Sequence, residues 1–88
     1  MIYLLWKADG TGEDIVTKKP LSIGKMQKLV GGYVEMVRDV KPYNHCFAVN
    51  EDGLPMGLPV NNKFPQFVGN VIEGLMVEGK DDYEFVGF

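Results

Sequence analysis

Residues 29–35, with the sequence Leu-Val-Gly-Gly-Tyr-Val-Glu, constrain the fold most, because a helical pattern ends and a strand pattern begins within them. Ile23, Met26, Leu29 and Val30 lie on one side of a helix at about 100° per residue. Ser22 stands at the N-cap position, and a glycine can adopt the left-handed conformation that ends a helix. The sequence therefore predicts one amphipathic helix of about two turns, followed directly by a strand.

Two interpretations of Gly31 and Gly32 are open. In the first, the pair makes a tight turn between helix and strand, as glycines often do at helix ends. In the second, their bare backbone binds a phosphate or another protein, with Lys25 and Lys28 of the preceding helix nearby. The second interpretation makes these four residues candidate binding residues.

Further strand patterns surround this helix. Alternating or continuous apolar runs predict strands at residues 2–8, 15–17, 33–40, 45–49, 70–78 and 81–88. Glycines and short polar residues at positions 9–14 predict a hairpin turn. Phe64 and Phe67, three apart after Asn61, predict a short helical turn. The predicted fold class is α+β: a mainly antiparallel sheet of four to six strands with one amphipathic helix on a face, in the order β-β-α-β-β-(short helix)-β.

Length and composition indicate one folded domain over residues 1–88. The hydrophobic content of 45% argues against disorder. A single cysteine, Cys46, excludes an intramolecular disulfide, so packing must stabilise the fold and a reducing compartment suits it. The apolar residues 1–6 are too few to cross a membrane and lack a basic flank. We therefore expect a cytoplasmic protein, in the host cell if the source is viral, without membrane contact.

Charge is unevenly distributed, although the formal net charge is only −3. Residues 15–34 contain four lysines and no acid, whereas residues 50–88 contain seven acids and two lysines. Proteins that read duplex DNA place arginines at base edges, but this chain has only Arg38. We interpret the lysines as a solvated helix face and hairpin edge, and we expect no nucleic-acid partner.

Residue types that usually carry catalysis do not form a recognisable set. His45 and Cys46 are adjacent, and neighbouring side chains of a strand point to opposite faces, so they cannot act as base and nucleophile. Glu35 and Glu73 lie in alternating strands, whose acids are expected on the solvent face. One histidine and one cysteine are too few for the usual zinc ligands. We predict no enzymatic activity, no metal and no cofactor.

The loop at residues 57–61 is the more promising binding element. Its prolines restrict the backbone, and the amide of Asn61 can both donate and accept hydrogen bonds. The rings of Tyr43 and Phe64 can supply the apolar wall of a small-molecule or peptide pocket. Alternatively, Asn61 caps a turn and the rings fill the core. Tyr43, Asn61 and Phe64 are therefore further candidate binding residues.

Four short motifs in a fixed order resemble a known family. They are residues 29–35, Asn-Glu-Asp-Gly at 50–53, Gly-Leu-Pro-x-Asn at 57–61, and a strand that contains Val71 and Gly74. Each alone is weak, but the ordered set over residues 21–79 resembles small proteins from phages, bacteria and large algal viruses, known only as a domain of unknown function. The chain departs from that pattern at Phe64, where a small residue is usual. The resemblance implies a viral or mobile-element source and an accessory role, with no catalytic residues.

Two functions fit these observations. The first is a non-enzymatic viral or phage-type accessory protein that binds a host protein through a sheet edge or loop and can inhibit it. The second is an oligomeric module that binds or sequesters a small anionic molecule such as a nucleotide, lined by the glycine amides and by Lys25 and Lys28. Lysines and amides that converge on one pocket favour the second function. Solvated lysines beside an open apolar sheet edge favour the first.

Overall fold

The chain forms one antiparallel sheet with a helix packed on one face. The computed structural model describes residues 1–39, 44–79 and 82–88. Within them the elements are β1 (Ile2–Trp6), β2 (Gly12–Val16), α1 (Ile23–Val30), β3 (Val34–Asp39), β4 (His45–Asn50), β5 (Val71–Glu78) and β6 (Tyr83–Val86). The strand order is β2-β1-β5-β4-β3, and β6 pairs with β5 beyond the end of β1. The predicted α+β class, with a mainly antiparallel sheet and one helix, is confirmed.

Apolar side chains cover both faces of the sheet. The helix face contains the buried residues Tyr3, Leu5, Ala48 and Ile72, which pack against Met26 and Val30 of α1. The opposite face contains the buried residues Phe47, Val49 and Val71, which pack against Trp6, Val37, Phe64 and Phe67. The connection between β4 and β5 supplies two of those rings, Phe64 and Phe67, so this long segment acts as the second cover of the sheet.

Both ends of α1 form as the sequence predicts. The Ser22 hydroxyl accepts a hydrogen bond from the backbone nitrogen of Lys25 at 3.1 Å. Gly31 ends the helix in the left-handed conformation, with a φ of 81° that strains any other residue. The apolar face is narrower than predicted, because Ile23 lies at the first helical position and is exposed, so packing begins at Met26.

The structure differs from the predicted elements in two details, one missing short helix and one strand boundary. Residues 62–67 form turns and bends instead of a short helix. The side chain of Asn61 binds the backbone nitrogens of this segment locally, and Pro65 lacks the N–H that a helix needs. The strand β2 begins within the predicted turn, because the hairpin closes earlier, where the backbone nitrogen of Lys7 donates to the carbonyl oxygen of Thr11 at 2.8 Å.

The hydroxyl of Tyr3 joins the sheet to two other segments. Tyr3 is fully buried. Its hydroxyl donates to the carbonyl oxygen of Phe85 at 2.9 Å and accepts from the backbone nitrogen of Leu21 at 3.1 Å. Burial raises the pKa of this hydroxyl above its ordinary value of 10.0, although the hydrogen bond from Leu21 acts in the opposite direction.

Alkaline pH is expected to destabilise the protein through Tyr3. Above about pH 10 the unfolded chain releases the phenolic proton while the folded chain retains it, so the free energy of unfolding falls as the pH rises. Tyr3→Phe removes this difference and leaves the Leu21 N–H without its acceptor, so it should lose about 1–3 kcal/mol at neutral pH. Urea unfolding of both proteins across the alkaline range measures the effect. The same alkaline slope in both proteins would contradict this account.

Candidate functional site

Sequence motifs that are distant in the chain meet at one end of the sheet, around the side chain of Asn50. Its amide nitrogen donates to the carbonyl oxygen of Val30 at 3.1 Å. Its side-chain oxygen accepts from the backbone nitrogen of Asp52 at 2.8 Å. Asn50 thereby connects the end of α1 to the turn that follows β4. We call residues 31–35 and 50–58 the corner face.

The backbone amides of Gly31 and Gly32 are used to end α1. Both donate to the carbonyl oxygen of Gln27, at 2.8 and 3.1 Å, and the Asn70 amide donates to the carbonyl oxygen of Leu29 at 3.1 Å. These contacts satisfy carbonyl groups that a helix leaves unpaired at its C-terminus. The two amides are therefore not available to a phosphate, and this end of a helix disfavours anions. The pair makes the predicted tight turn, and ligand contact by either glycine stays a prediction.

One cavity beside the corner face brings together residues from two motifs. It measures about 300 Å³ and is lined by Lys28 and Gly31 at the end of α1 and by Leu58 and Pro59 from the loop at residues 57–61. Lys28 supplies a cation at this cavity, while Lys25 is exposed and is not part of its lining. Lys28 and Gly31 thus share a cavity, whereas Lys25 faces solvent, and the amides of Gly31 and Gly32 are already bonded to Gln27.

A second cavity, of about 220 Å³, borders the corner face and has acidic residues at its edge. We call it the acidic cavity. Its exposed acids are Glu35 and Glu51, and its apolar lining is Val49, Leu54, Pro55, Phe67 and Val68. The sequence alone did not predict this site, because its residues come from separate segments and meet only when β3 pairs with β4. The alternation of β3 was the available signal, because it assigns Glu35 to one face of the sheet, but it does not give the pairing of Glu35 with Val49.

Large apolar side chains of the corner face point to solvent. Leu54 is 80% exposed, Tyr33 67% and Met56 55%. Their backbone is nonetheless fixed by hydrogen bonds within the turn, such as Met56 N to Asp52 O at 3.0 Å. The Met56 sulfur also lies 3.6 Å from the amide nitrogen of Asn50. The structure therefore presents these side chains on ordered backbone.

Asn61 is a buried scaffold residue. It has no solvent exposure. Its amide nitrogen donates to the carbonyl oxygens of Trp6 and Gly69, at 3.1 and 2.8 Å. Its side-chain oxygen accepts from the backbone nitrogens of Lys63 and Phe64, both at 2.9 Å. Asn61 thus caps the turn, as one of the two interpretations predicted, and ligand binding by it stays a prediction.

The ring of Phe64 packs on the sheet. It makes edge contacts with Trp6 and Phe47, with ring centroids 6.1 and 4.9 Å apart. Phe64 therefore fills the core of the second face, as the alternative interpretation predicted. Tyr43, the other ring predicted at this loop, lies outside the described residues. A pocket formed by these rings stays a prediction.

Glu73 is buried, so the prediction that its carboxylate faces solvent is wrong. It accepts a hydrogen bond from the Trp6 indole nitrogen at 3.0 Å, and its other oxygen lies 2.9 Å from Nδ1 of His45. Glu73 lies on β5 between β1 and β4, whose side chains cover it. His45 and the buried Cys46 occupy opposite faces of β4, as predicted. Burial raises the pKa of the Cys46 thiol, which makes it a poor nucleophile.

The sequence comparison places these motifs in one family. Residues 8–86 match the sequence model of a Domain of unknown function (DUF3846). The chain belongs to this family. No curated protein and no solved structure matches the chain. In the described part of this DUF3846 domain, no helix is both long and apolar enough to span a membrane.

Gly32→Val is expected to destabilise the DUF3846 domain by about 3 kcal/mol. A Cβ atom at Gly32 would lie 2.9 Å from the amide nitrogen of Asn50, so valine displaces the side chain that caps Val30. Gly31→Ala is the control, because its Cβ meets nothing within 4 Å and the positive φ alone costs about 1–2 kcal/mol. Chemical unfolding of both variants measures the difference. A smaller loss for Gly32→Val than for Gly31→Ala would contradict the role of Asn50.

Proposed function

We propose that the protein is a non-enzymatic accessory protein that binds another protein through the corner face. The partner is a host factor if the source is a phage or virus, and binding inhibits it where the covered surface is its working site. The observation that carries this proposal is the exposure of Leu54, Tyr33 and Met56 on ordered backbone. Exposed large apolar side chains are common on protein-binding surfaces, where aromatic residues and methionine are enriched.

The outer edge of β3 supports the same function. Among the described strands, β3 pairs only with β4, so its other edge is open. Met36 is exposed there, and Val34 is half-buried. Lys25 and Lys28 are exposed on α1. An open apolar edge together with solvated lysines is the combination expected for a protein partner.

A small anionic ligand is the alternative, and the 300 Å³ cavity beside Gly31 favours it. That volume lies at the lower end of small-molecule sites, which measure about 300–1,000 Å³. Of the described residues that line the cavity, Lys28 alone is cationic. The amides of Gly31 and Gly32 are already bonded to Gln27. Protein binding is therefore the better supported proposal.

Affinity capture from cells of the natural source, with two matched variants, tests the corner face. Leu54→Lys places a charge on the corner face, and Val16→Lys places the same charge at a 74% exposed position of β2, on the opposite edge of the sheet. Both changes should alter the free energy of unfolding by no more than about 0.5 kcal/mol. The wild type and Val16→Lys should retain a partner that Leu54→Lys binds at least about tenfold more weakly. Equal capture by all three proteins would show that the corner face is not the binding surface.

A further inference from the structure

We propose that the partner presents an extended segment of alternating apolar and basic residues, which adds to the outer edge of β3 and places one lysine or arginine side chain in the acidic cavity. This inference rests on the protein-binding function and names the chemistry of the partner. The geometry behind it is the meeting of an open strand edge with a cavity whose acids are Glu35 and Glu51.

The register of β3 with β4 decides which backbone groups are bonded to β4. Glu35 lies opposite Val49, and two residues earlier on this strand the carbonyl oxygen of Tyr33 accepts from the backbone nitrogen of Glu51 at 2.8 Å. In an antiparallel ladder, every second residue exchanges its hydrogen bonds with the partner strand. Tyr33, Glu35 and Val37 therefore turn their backbone groups towards β4.

The intervening residues of β3 turn their backbone groups away from β4. These residues are Val34, Met36 and Arg38, and within residues 1–39, 44–79 and 82–88 no strand pairs with them. An added strand would find alternating donors and acceptors there, which is the basis of β-strand addition. Because every strand pair of this sheet is antiparallel, an antiparallel addition continues its pattern.

The position opposite Glu35 in an added strand is directed at the acidic cavity. Since Glu35 exchanges its backbone bonds with β4, its pairing with the added strand is the non-hydrogen-bonded kind, in which side chains approach most closely. A residue at that position projects on the same side of the sheet as Glu35. The apolar lining from Val49, Leu54 and Phe67 suits the methylene stem of a lysine or arginine, and the two carboxylates suit its charged end.

Size and charge favour a basic side chain over a free ligand. The cavity measures about 220 Å³, below the usual range for small-molecule sites of about 300–1,000 Å³. Arg38, the cation of β3, lies 4.8 Å over the ring of Tyr83 and so is held away from Glu35. Residues 50–88 carry seven acids and two lysines, so their field attracts a basic partner.

The neighbouring positions of the added strand should be apolar. They lie opposite Val34 and Met36, whose side chains are on the helix face of the sheet and leave apolar surface uncovered at this edge. The required pattern is therefore a basic residue between two apolar residues. An acidic residue opposite Glu35 would be repelled.

Titration of an end-blocked seven-residue peptide of alternating valine and lysine into ¹⁵N-labelled protein tests the inference. The largest amide shifts should occur at Val34, Met36 and Arg38. Binding should be lost when the peptide is N-methylated at the residues that bond to β3, or when glutamate replaces its lysines. The double variant Glu35→Gln with Glu51→Gln should bind about tenfold more weakly. The matched control, Glu13→Gln with Asp14→Asn, removes the same charge from exposed positions of β2 and should bind normally.

Several results would overturn the inference. They are no binding of the lysine peptide, equal binding of the N-methylated peptide, equal binding by the Glu35 and Glu51 variant, or shifts confined to other parts of the sheet.

The strand-addition proposal and the corner-face proposal can fail separately. A natural partner that is lost with Leu54→Lys, in a protein that does not bind the peptide, rejects only the strand addition. Capture that is insensitive to Leu54→Lys rejects the corner face itself.

Discussion

Asn61→Asp is expected to lower the free energy of unfolding by about 4 kcal/mol, a large fraction of the stability of an ordinary domain. The amide nitrogen of Asn61 donates to the carbonyl oxygens of Trp6 and Gly69. A carboxylate cannot donate to either oxygen, and it would carry a charge at a position with no solvent exposure. The loss should be greatest at neutral pH and smaller in acid, where the new side chain is protonated and can donate one hydrogen bond.

Asn62→Asp is the matched control for this substitution. Asn62 is adjacent and exposed, so the same chemical change should alter the free energy of unfolding by no more than about 0.5 kcal/mol. Circular dichroism and urea unfolding of both variants measure the contrast. Equal stability of the two variants would show that the contacts of Asn61 do not hold the segment between β4 and β5 on the sheet.

The second large effect is expected from Gly74→Ala, which should destabilise the protein by about 2–3 kcal/mol. A Cβ atom at Gly74 would lie 2.5 Å from the carbonyl oxygen of Val86 and 2.8 Å from the ring of Phe85. The first contact is with backbone, so β6 must move to relieve it. That movement also disturbs the ring of Phe85 against Tyr3, whose centroids are 5.1 Å apart.

Gly24→Ala provides a control whose expected effect on stability is opposite to that of Gly74→Ala. Its Cβ would meet nothing within 4 Å, and Gly24 lies in α1, so alanine should stabilise the protein by about 0.5–1 kcal/mol. The midpoint temperature of thermal unfolding should therefore rise for Gly24→Ala and fall for Gly74→Ala. A stabilising Gly74→Ala would contradict the close approach of β6 to β5.

The local elements were predictable from sequence because their determinants lie within a few residues. Ser22 bonds to a backbone nitrogen three positions away, and Gly31 bonds within the last turn of the helix it ends. The alternation of β3 likewise fixes which side chains share a face. These features allowed the fold class and the position of α1 to be predicted.

The binding features were not predictable in the same way, because they depend on contacts between distant segments. The buried carboxylate of Glu73 contacts Trp6 and His45, which lie on two other strands. The acidic cavity exists only when Glu35 and Glu51 are brought together by strand pairing. A periodicity argument assigns each side chain to a face but does not show what covers that face.

The family motifs separate into a scaffold and a surface once the structure is considered. Gly31, Asn50 and Asn61 use their hydrogen bonds within the chain. Next to them, Tyr33 and Leu54 expose apolar side chains. In this arrangement the first group fixes the backbone on which the second group lies.

Native mass spectrometry of the protein purified from cells of its natural source tests the protein-binding proposal most directly. The chain alone has a mass of 9.8 kDa. We predict a species whose mass equals the chain plus a whole partner protein, and its loss in Leu54→Lys but not in Val16→Lys. A mass increase of only the size of a metabolite, unchanged by Leu54→Lys, would contradict protein binding and favour the small anionic ligand.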